Sequence, residues 1–230
     1  MKKIGIIGGM SAYSTIDYYQ LIIDEYKKIQ AGIMCPELVI DSLNHGKIAK
    51  LITANQWDKV LNELLYSAKN LMKAKAEVII IAANTPHIVF NKLVKKVKVP
   101  MISIMEGTGK AIQDKKLTKI GLLGTKNTMD ADYYSKTMNK MGIELIVPEE
   151  EDKILIDGII KKELILNIIT EESKRKYIQI MDKLREAGAE GIILGCTEIP
   201  MLIKEKDYSL PLFDTTYLHA KAVLDYALKE

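Results

Sequence analysis

Arginine is nearly missing from this chain: Arg175 and Arg185 are the only two among 230 residues. Both fall in or just after the charged stretch Glu171-Glu172-Ser173-Lys174-Arg175-Lys176, which reads as the solvated face of a helix. A bidentate guanidinium clamp on a carboxylate ligand therefore has almost no candidates. Cysteine is just as scarce. Cys35 and Cys196 read as free thiols, which excludes a disulfide scaffold, and the cysteine and histidine spacings match no zinc pattern, so no metal is expected. No apolar run approaches the roughly 18–20 residues of a membrane helix. The opening Met1-Lys2-Lys3-Ile4-Gly5 runs directly into a strand-like segment and leaves no room for a signal peptide, so a cytoplasmic protein without a membrane partner is expected. A charge excess of one sign is also lacking: 33 basic against 30 acidic residues leave a net +3, which argues against a nucleic-acid binder.

What is present is the mix of a globular protein, 48% apolar and 27% charged. Short apolar runs alternate with amphipathic stretches, the pattern of an α/β fold with parallel strands and helical crossovers. The strand candidates are Lys3–Ile7, Leu38–Ser42, Val78–Ala82, Met101–Ile104, Ile120–Leu123, Glu144–Val147, Gly191–Leu194 and Pro211–Phe213. Their Val/Ile/Leu richness without polar alternation suits strands covered on both faces. Trp57, Leu61, Leu64, Leu65, Ala68, Leu71 and Met72 fall on one helical stripe. Ser14 with Asp17 resembles a capping box opening the first helix.

The chain carries an internal repeat. Ile4-Gly5-Ile6-Ile7-Gly8-Gly9 resembles Ile120-Gly121-Leu122-Leu123-Gly124-Thr125, and Asp17-Tyr18-Tyr19 resembles Asp132-Tyr133-Tyr134. Val78–Thr85 resembles Gly191–Thr197 further on. Ordered pairs along both halves point to duplication and to two pseudo-symmetric lobes, each a mainly parallel sheet flanked by helices. The expected lobes are 1–98 completed by 208–230, and 99–207, with the crossover near Lys96–Pro100 and the last helix at Thr215–Leu228 returning to the first lobe. Facing lobes would bring the carboxyl ends of their strands toward one cleft, where α/β sites lie.

Three turns carry candidate chemistry. Gly5-Ile6-Ile7-Gly8-Gly9-Met10-Ser11 follows a strand and opens a helix, but it fits neither the dinucleotide fingerprint nor the Walker motif. It reads either as an anion cradle or as a plain tight turn. Ala82-Ala83-Asn84-Thr85-Pro86-His87 ends the most apolar strand, and Asn84 and Thr85 there can hold a carboxylate through an amide and a hydroxyl. Pro86 suits a first helical turn, and His87 is either an acid/base group or a structural anchor. Gly195-Cys196-Thr197-Glu198-Ile199-Pro200 is the strongest signal, with a thiol at a strand end ahead of a helix start, where backbone dipoles would lower its pKa. The bland alternative is a buried inert cysteine. His45 after Asn44 could line the cleft or sit in a plain loop. Asp214-Thr215 reads as a helix cap with His219 inside that helix, and Cys35 has no partner motif.

Together these turns resemble the cofactor-independent aspartate/glutamate racemase superfamily. The resemblance rests on Ile4–Ser11, Asn84-Thr85-x-His87, Leu123–Met129, Gly195-Cys196-Thr197-Glu198 and Leu210–Thr215, and the Gly-Cys-Thr-Glu form is similar to its aspartate racemase branch. It implies paired lobes, a homodimer, and an amino acid or dicarboxylate bound between the lobes without a cofactor. It also implies a cysteine from each lobe flanking the α-carbon, one thiolate removing the α-proton while the opposite thiol returns one. Here the first-lobe cysteine position is Ala83. The resemblance thus points to an amino-acid racemase with Cys196 as the acid/base thiol. It places Met10, Ser11, Asn84, Thr85, Thr125, Thr197 and Glu198 as the residues that hold substrate. The alternatives are a one-cysteine relative resembling a decarboxylase and a silent amino-acid-binding protein.

Overall fold

The computed structural model of the chain describes residues 1–30 and 35–229. It divides into two compact units, Met1–Gly107 with Thr216–Glu230, and Thr108–Thr215. The boundaries expected from sequence are 98/99 and 207/208. The first division falls inside a helix. The second follows a strand, Leu212–Asp214, that pairs within the second unit's sheet.

The first half of the chain runs β1 (Ile4–Gly8), α1 (Ala12–Ile29), β2 (Leu38–Ser42), α2 (His45–Thr53), α3 (Trp57–Lys73) and β3 (Val78–Ile81). A 3-10 turn at Thr85–Val89, α4 (Phe90–Val94) and α5 (Ile104–Asp114) follow. Next come β4 (Lys119–Gly124), α6 (Lys126–Asp130), α7 (Asp132–Lys140), β5 (Glu144–Ile146), α8 (Glu150–Lys162) and α9 (Glu171–Glu186). The chain ends with β6 (Ile192–Gly195), α10 (Ile199–Leu202), β7 (Leu212–Asp214) and α11 (Thr215–Leu228). The strand order is β2-β1-β3 in the first unit and β5-β4-β6-β7 in the second, and every pairing is parallel.

Side chains alternate across a strand, so a run such as Val78-Ile79-Ile80-Ile81 feeds two cores at once. Ile4, Ile6, Val78 and Ile80 pack with Tyr18 and Ile22 of α1 and with Val223 and Leu224 of α11. Ile7, Ile79 and Ile81 pack on the other face with Leu61, Leu64, Ala68 and Leu71 of α3, and Trp57, Leu65 and Met72 close around them. The helical stripe in the sequence is this contact. Gly5 lets α3 approach: a Cβ there would stand 2.9 Å from the Cβ of Ala76 and 3.3 Å from that of Leu71.

Two expectations need correction. Met101–Ile104 is not a strand. Met101 makes a single parallel bridge to Ile79, and α5 begins at Ile104. The helix wins because its first amides find acceptors: Ser103 Oγ takes the Met105 N–H at 3.3 Å and His87 Nε2 takes the Ile104 N–H at 3.2 Å. The first helix opens three residues before the expected capping box. Ser11 is its N-cap, accepting the Ser14 N–H at 3.4 Å, and Ser14 itself is buried inside the helix.

Candidate active site

In the first unit, the turn after β1 is fixed by a residue the motif did not include. Thr15 Oγ1 accepts the Gly9 N–H at 2.9 Å and donates to the Ser11 carbonyl at 2.9 Å, lacing the Gly-Gly-Met-Ser turn to the first turn of α1. Gly9 has φ +78, and a Cβ there would lie 2.1 Å from the Leu43 carbonyl oxygen, so only glycine fits. Met10 packs partly buried against the α3-side core, and the Ser11 hydroxyl is spent on the helix cap.

The turn after β3 is braced by histidine. Asn84 is buried, Thr85 is half-buried at the start of the 3-10 turn, and Pro86 sits in that turn's first positions as expected. The ring of His87 lies 2.9 Å from the Ala83 carbonyl through Nδ1 and 3.2 Å from the Ile104 amide through Nε2. A carbonyl can only accept and an amide N–H can only donate, so Nδ1 carries the proton and Nε2 the lone pair. His219 of α11 is engaged the same way: Nε2–H donates to the Ile102 carbonyl at 2.9 Å, and Nδ1 takes the Tyr18 hydroxyl at 2.8 Å. The two rings stand 5.9 Å apart. Burial, and for His87 the neighbouring His219, lower their pKa values to about 3 and about 4. His87 is thus occupied as an anchor with both nitrogens serving the backbone. His45 starts α2 on the exposed surface, and Cys35 is exposed.

In the second unit, Thr125 follows β4 as Ser11 follows β1. It caps α6 by accepting the Thr128 N–H at 3.3 Å, and its hydroxyl lies 3.1 Å from that of Thr128. The Lys126 N–H donates to Asp157 of α8 at 3.0 Å. The turn after β6 carries the thiol. Cys196 is buried, and its Sγ–H donates to Glu198 Oε2 at 3.0 Å. The Thr197 hydroxyl donates to the same oxygen at 2.9 Å. The expectation of a lowered thiol pKa is reversed. Burial comes first, then the Glu198 carboxylate, and both push the Cys196 thiol well above its usual range. The helix behind it, α10, has only four residues and cannot offset them.

The structure thus groups Ala83, Asn84, Thr85 and His87 at one strand end and Cys196, Thr197 and Glu198 at another, each within its own unit. Glu198, expected to hold substrate, holds the thiol and the threonine. Sequence reasoning missed Thr15 and Asp157. Asp157 lies on a helix far from any motif, and only the polar Thr15 inside an otherwise ordinary helix start could have been noticed. Among the described residues, no group of three or more His, Cys, Asp or Glu is placed to hold a metal ion. None of the described helices is long and apolar enough to cross a membrane.

Known proteins resemble this chain along most of its length. The family model for Asp/Glu/hydantoin racemases matches residues 7–223. A Yersinia pestis crystal structure is 39% identical with a TM-score of 0.93, each chain covered in full. An aspartate racemase homologue from Pyrococcus horikoshii OT3 is also 39% identical over both full chains, with a TM-score of 0.88. The broad specificity amino-acid racemase RacX of Bacillus subtilis is 24% identical over 96% of both chains. The glutamate racemase of Desulforudis audaxviator is 28% identical over 63% of this chain but only 54% of its own length. The chain belongs to the Asp/Glu/hydantoin racemase family and is an amino-acid racemase.

Proposed function

We propose that this racemase moves the α-proton of its amino acid with the Cys196 thiol and without pyridoxal phosphate. The observation that carries this reading is the buried Cys196–Glu198 contact at 3.0 Å. It keeps the sulfur protonated, ready to give its proton to one face of an α-carbanion while the electron pair stays on sulfur. The thiolate so formed is the base for the reverse direction. Asn84, Thr85, Thr125 and Thr197, with the Met10–Ser11 backbone, are the groups we assign to the substrate's carboxylate and ammonium; all follow the carboxyl ends of parallel strands. Ala83 has no proton to give, so water or another polar group serves the second face.

Both arginines are exposed on α9, and Arg185 pairs with Asp182 at 3.0 Å. A distal carboxylate would have to be held by lysine, serine or threonine. This favours amino acids beyond the dicarboxylates, in keeping with the name of the broad-specificity relative. From the family resemblance we also read the enzyme as a cytoplasmic homodimer, which light scattering on the purified chain checks.

The test is α-proton exchange. D- and L-amino acids are incubated with the protein in D₂O, washout is followed by NMR and configuration by chiral chromatography. Washout with inversion supports the reading. Binding without washout overturns it in favour of a silent binding protein. A second reading, protonation of a single face after loss of CO₂, is favoured by Ala83 and by the full engagement of His87. Turnover of an α-substituted malonate without exchange of any amino acid would establish it.

A further inference from the structure

Tyr18, His87 and His219 are buried together in the first unit, and every ring nitrogen of the two histidines is hydrogen-bonded. Leucine or phenylalanine would fill that space without taking two imidazoles out of water. What the rings supply instead is a grip on particular peptide planes.

His87 holds both planes that flank the Asn84 Cα. Its ring Nδ1–H donates to the Ala83 carbonyl at 2.9 Å, and its backbone N–H donates to the Asn84 carbonyl at 3.0 Å. With both planes held, the two soft dihedrals of Asn84 are set, and with them the direction in which its buried side chain leaves the backbone. Ahead of it, the Ala83 N–H closes a tight turn onto the Ile81 carbonyl at 2.8 Å. Phe90 stacks on the His87 ring with centroids 5.0 Å apart, which fixes the plane of the imidazole.

The same device recurs at the start of α5. The Ile102 carbonyl and the Ile104 N–H belong to the two planes that flank the Ser103 Cα. His219 Nε2–H holds the first at 2.9 Å, and His87 Nε2 holds the second at 3.2 Å. Ser103 cannot turn without breaking one of these bonds. The Tyr18 hydroxyl, donating to His219 Nδ1 at 2.8 Å, selects the tautomer that leaves Nε2 with its proton. Helices α1 and α11 are thereby linked, through Ser103 and His87, to the turn after β3.

We propose that His87 and His219 are positioning residues of the reaction, which through the peptide planes around Ser103 and Asn84 aim the Asn84 amide at the substrate carboxylate. The inference rests on Asn84 being a substrate-holding group.

The two bonds of each ring can be separated by substitution. An asparagine amide reaches the place of ring Nδ1, and a glutamine amide that of Nε2. His87→Asn thus keeps a donor for the Ala83 carbonyl, whereas His87→Gln keeps only an acceptor for the Ile104 N–H. Each loses one buried hydrogen bond, so their melting temperatures are expected to fall alike. α-Proton exchange in D₂O, followed on the amino acid that the parent exchanges fastest, is expected to separate them. His87→Gln should show a kcat/KM about tenfold or more below that of His87→Asn, because the carboxylate is no longer met in its place. His219→Gln keeps the donor for the Ile102 carbonyl and His219→Asn loses it, so His219→Asn is expected to be the slower of that pair. Should a His87 variant not fold, the His219 pair carries the same test. Equal exchange within the pairs, or the reverse order, overturns the proposal and leaves the histidines purely structural. The Asn84 side-chain amide is read in parallel by heteronuclear NMR without substrate, assigned by its loss in Asn84→Asp. It is expected to shift in His87→Gln and to keep its place in His87→Asn. If it does so while the parent exchanges no amino acid, the reading of Asn84 as a substrate holder fails and its aiming by His87 stands. An amide that stays in place in His87→Gln overturns the aiming itself.

Discussion

The turns that end β3 and β6 hold the same place in their sheets, each beside the strand that opens the unit, and they are braced from opposite kinds of side chain. After β3, a histidine reaches back to the Ala83 carbonyl and forward to the Ile104 amide. After β6, a carboxylate gathers the thiol of Cys196 and the hydroxyl of Thr197. The first brace uses up its titratable group in holding backbone. The second brace holds titratable side chains and leaves the backbone to the strand. A duplicated fold therefore does not imply duplicated chemistry. At these two positions the second unit keeps a movable proton, and the first keeps shape.

The sharpest break in that contrast is Cys196→Ser. An alkoxide is far less accessible than a thiolate near neutral pH, so α-proton exchange is expected to fall about 10²–10⁴-fold with circular dichroism and ligand binding nearly intact. Full activity in the variant would mean the sulfur is not the proton carrier.

Acid should test the other brace. His87 and His219 have folded pKa values lowered from 6.5 to about 3 and about 4, so the unfolded chain binds more protons below pH 6.5. Their contribution to stability is whole above pH 6.5 and is lost as pH falls toward 4. Two such groups predict a loss of about 3–4 kcal/mol between pH 7 and pH 5, read by urea unfolding. Stability that stays flat over this range would show that the rings do not hold the neutral forms the geometry requires.

Ala83→Cys sharpens the comparison by making the turns alike. Racemisation is expected to rise about tenfold or more if positioned proton transfer at the second face is the missing element. Intact binding without any gain would indicate a site that has diverged toward protonation of one face. The smallest expected effect compares the two strand-to-helix turns after β1 and β4. Thr15→Ala leaves the Gly9 N–H without its acceptor and should cost about 1–2 kcal/mol in thermal or urea unfolding. A loss below the error of the measurement would mean that the turn holds without that lacing.

The strands and the motif turns were legible because both signals are local. Apolar runs mark buried parallel strands, and small residues after them mark turns. Seven of the eight strand candidates recur within a residue at each end, Leu38–Ser42 in full. Met101–Ile104 was not legible. Its apolar run suits a strand, and what makes it a helix start is His87, seventeen residues back, accepting the Ile104 amide. The ionisation of Cys196 was misjudged for a similar reason. Position at a helix start was visible, whereas the depth of burial and the direction of the Glu198 side chain were not.

The protected state of Cys196 also bears on oxidation. A peroxide needs thiolate and access, and Cys196 offers little of either in its resting form, whereas Cys35 is exposed. Mild peroxide should therefore convert Cys35 to its sulfenic acid while the sulfur at the end of β6 stays reduced. The chain carries its own reference thiol, and the ratio of modification at the two positions reports how often the buried sulfur is uncovered.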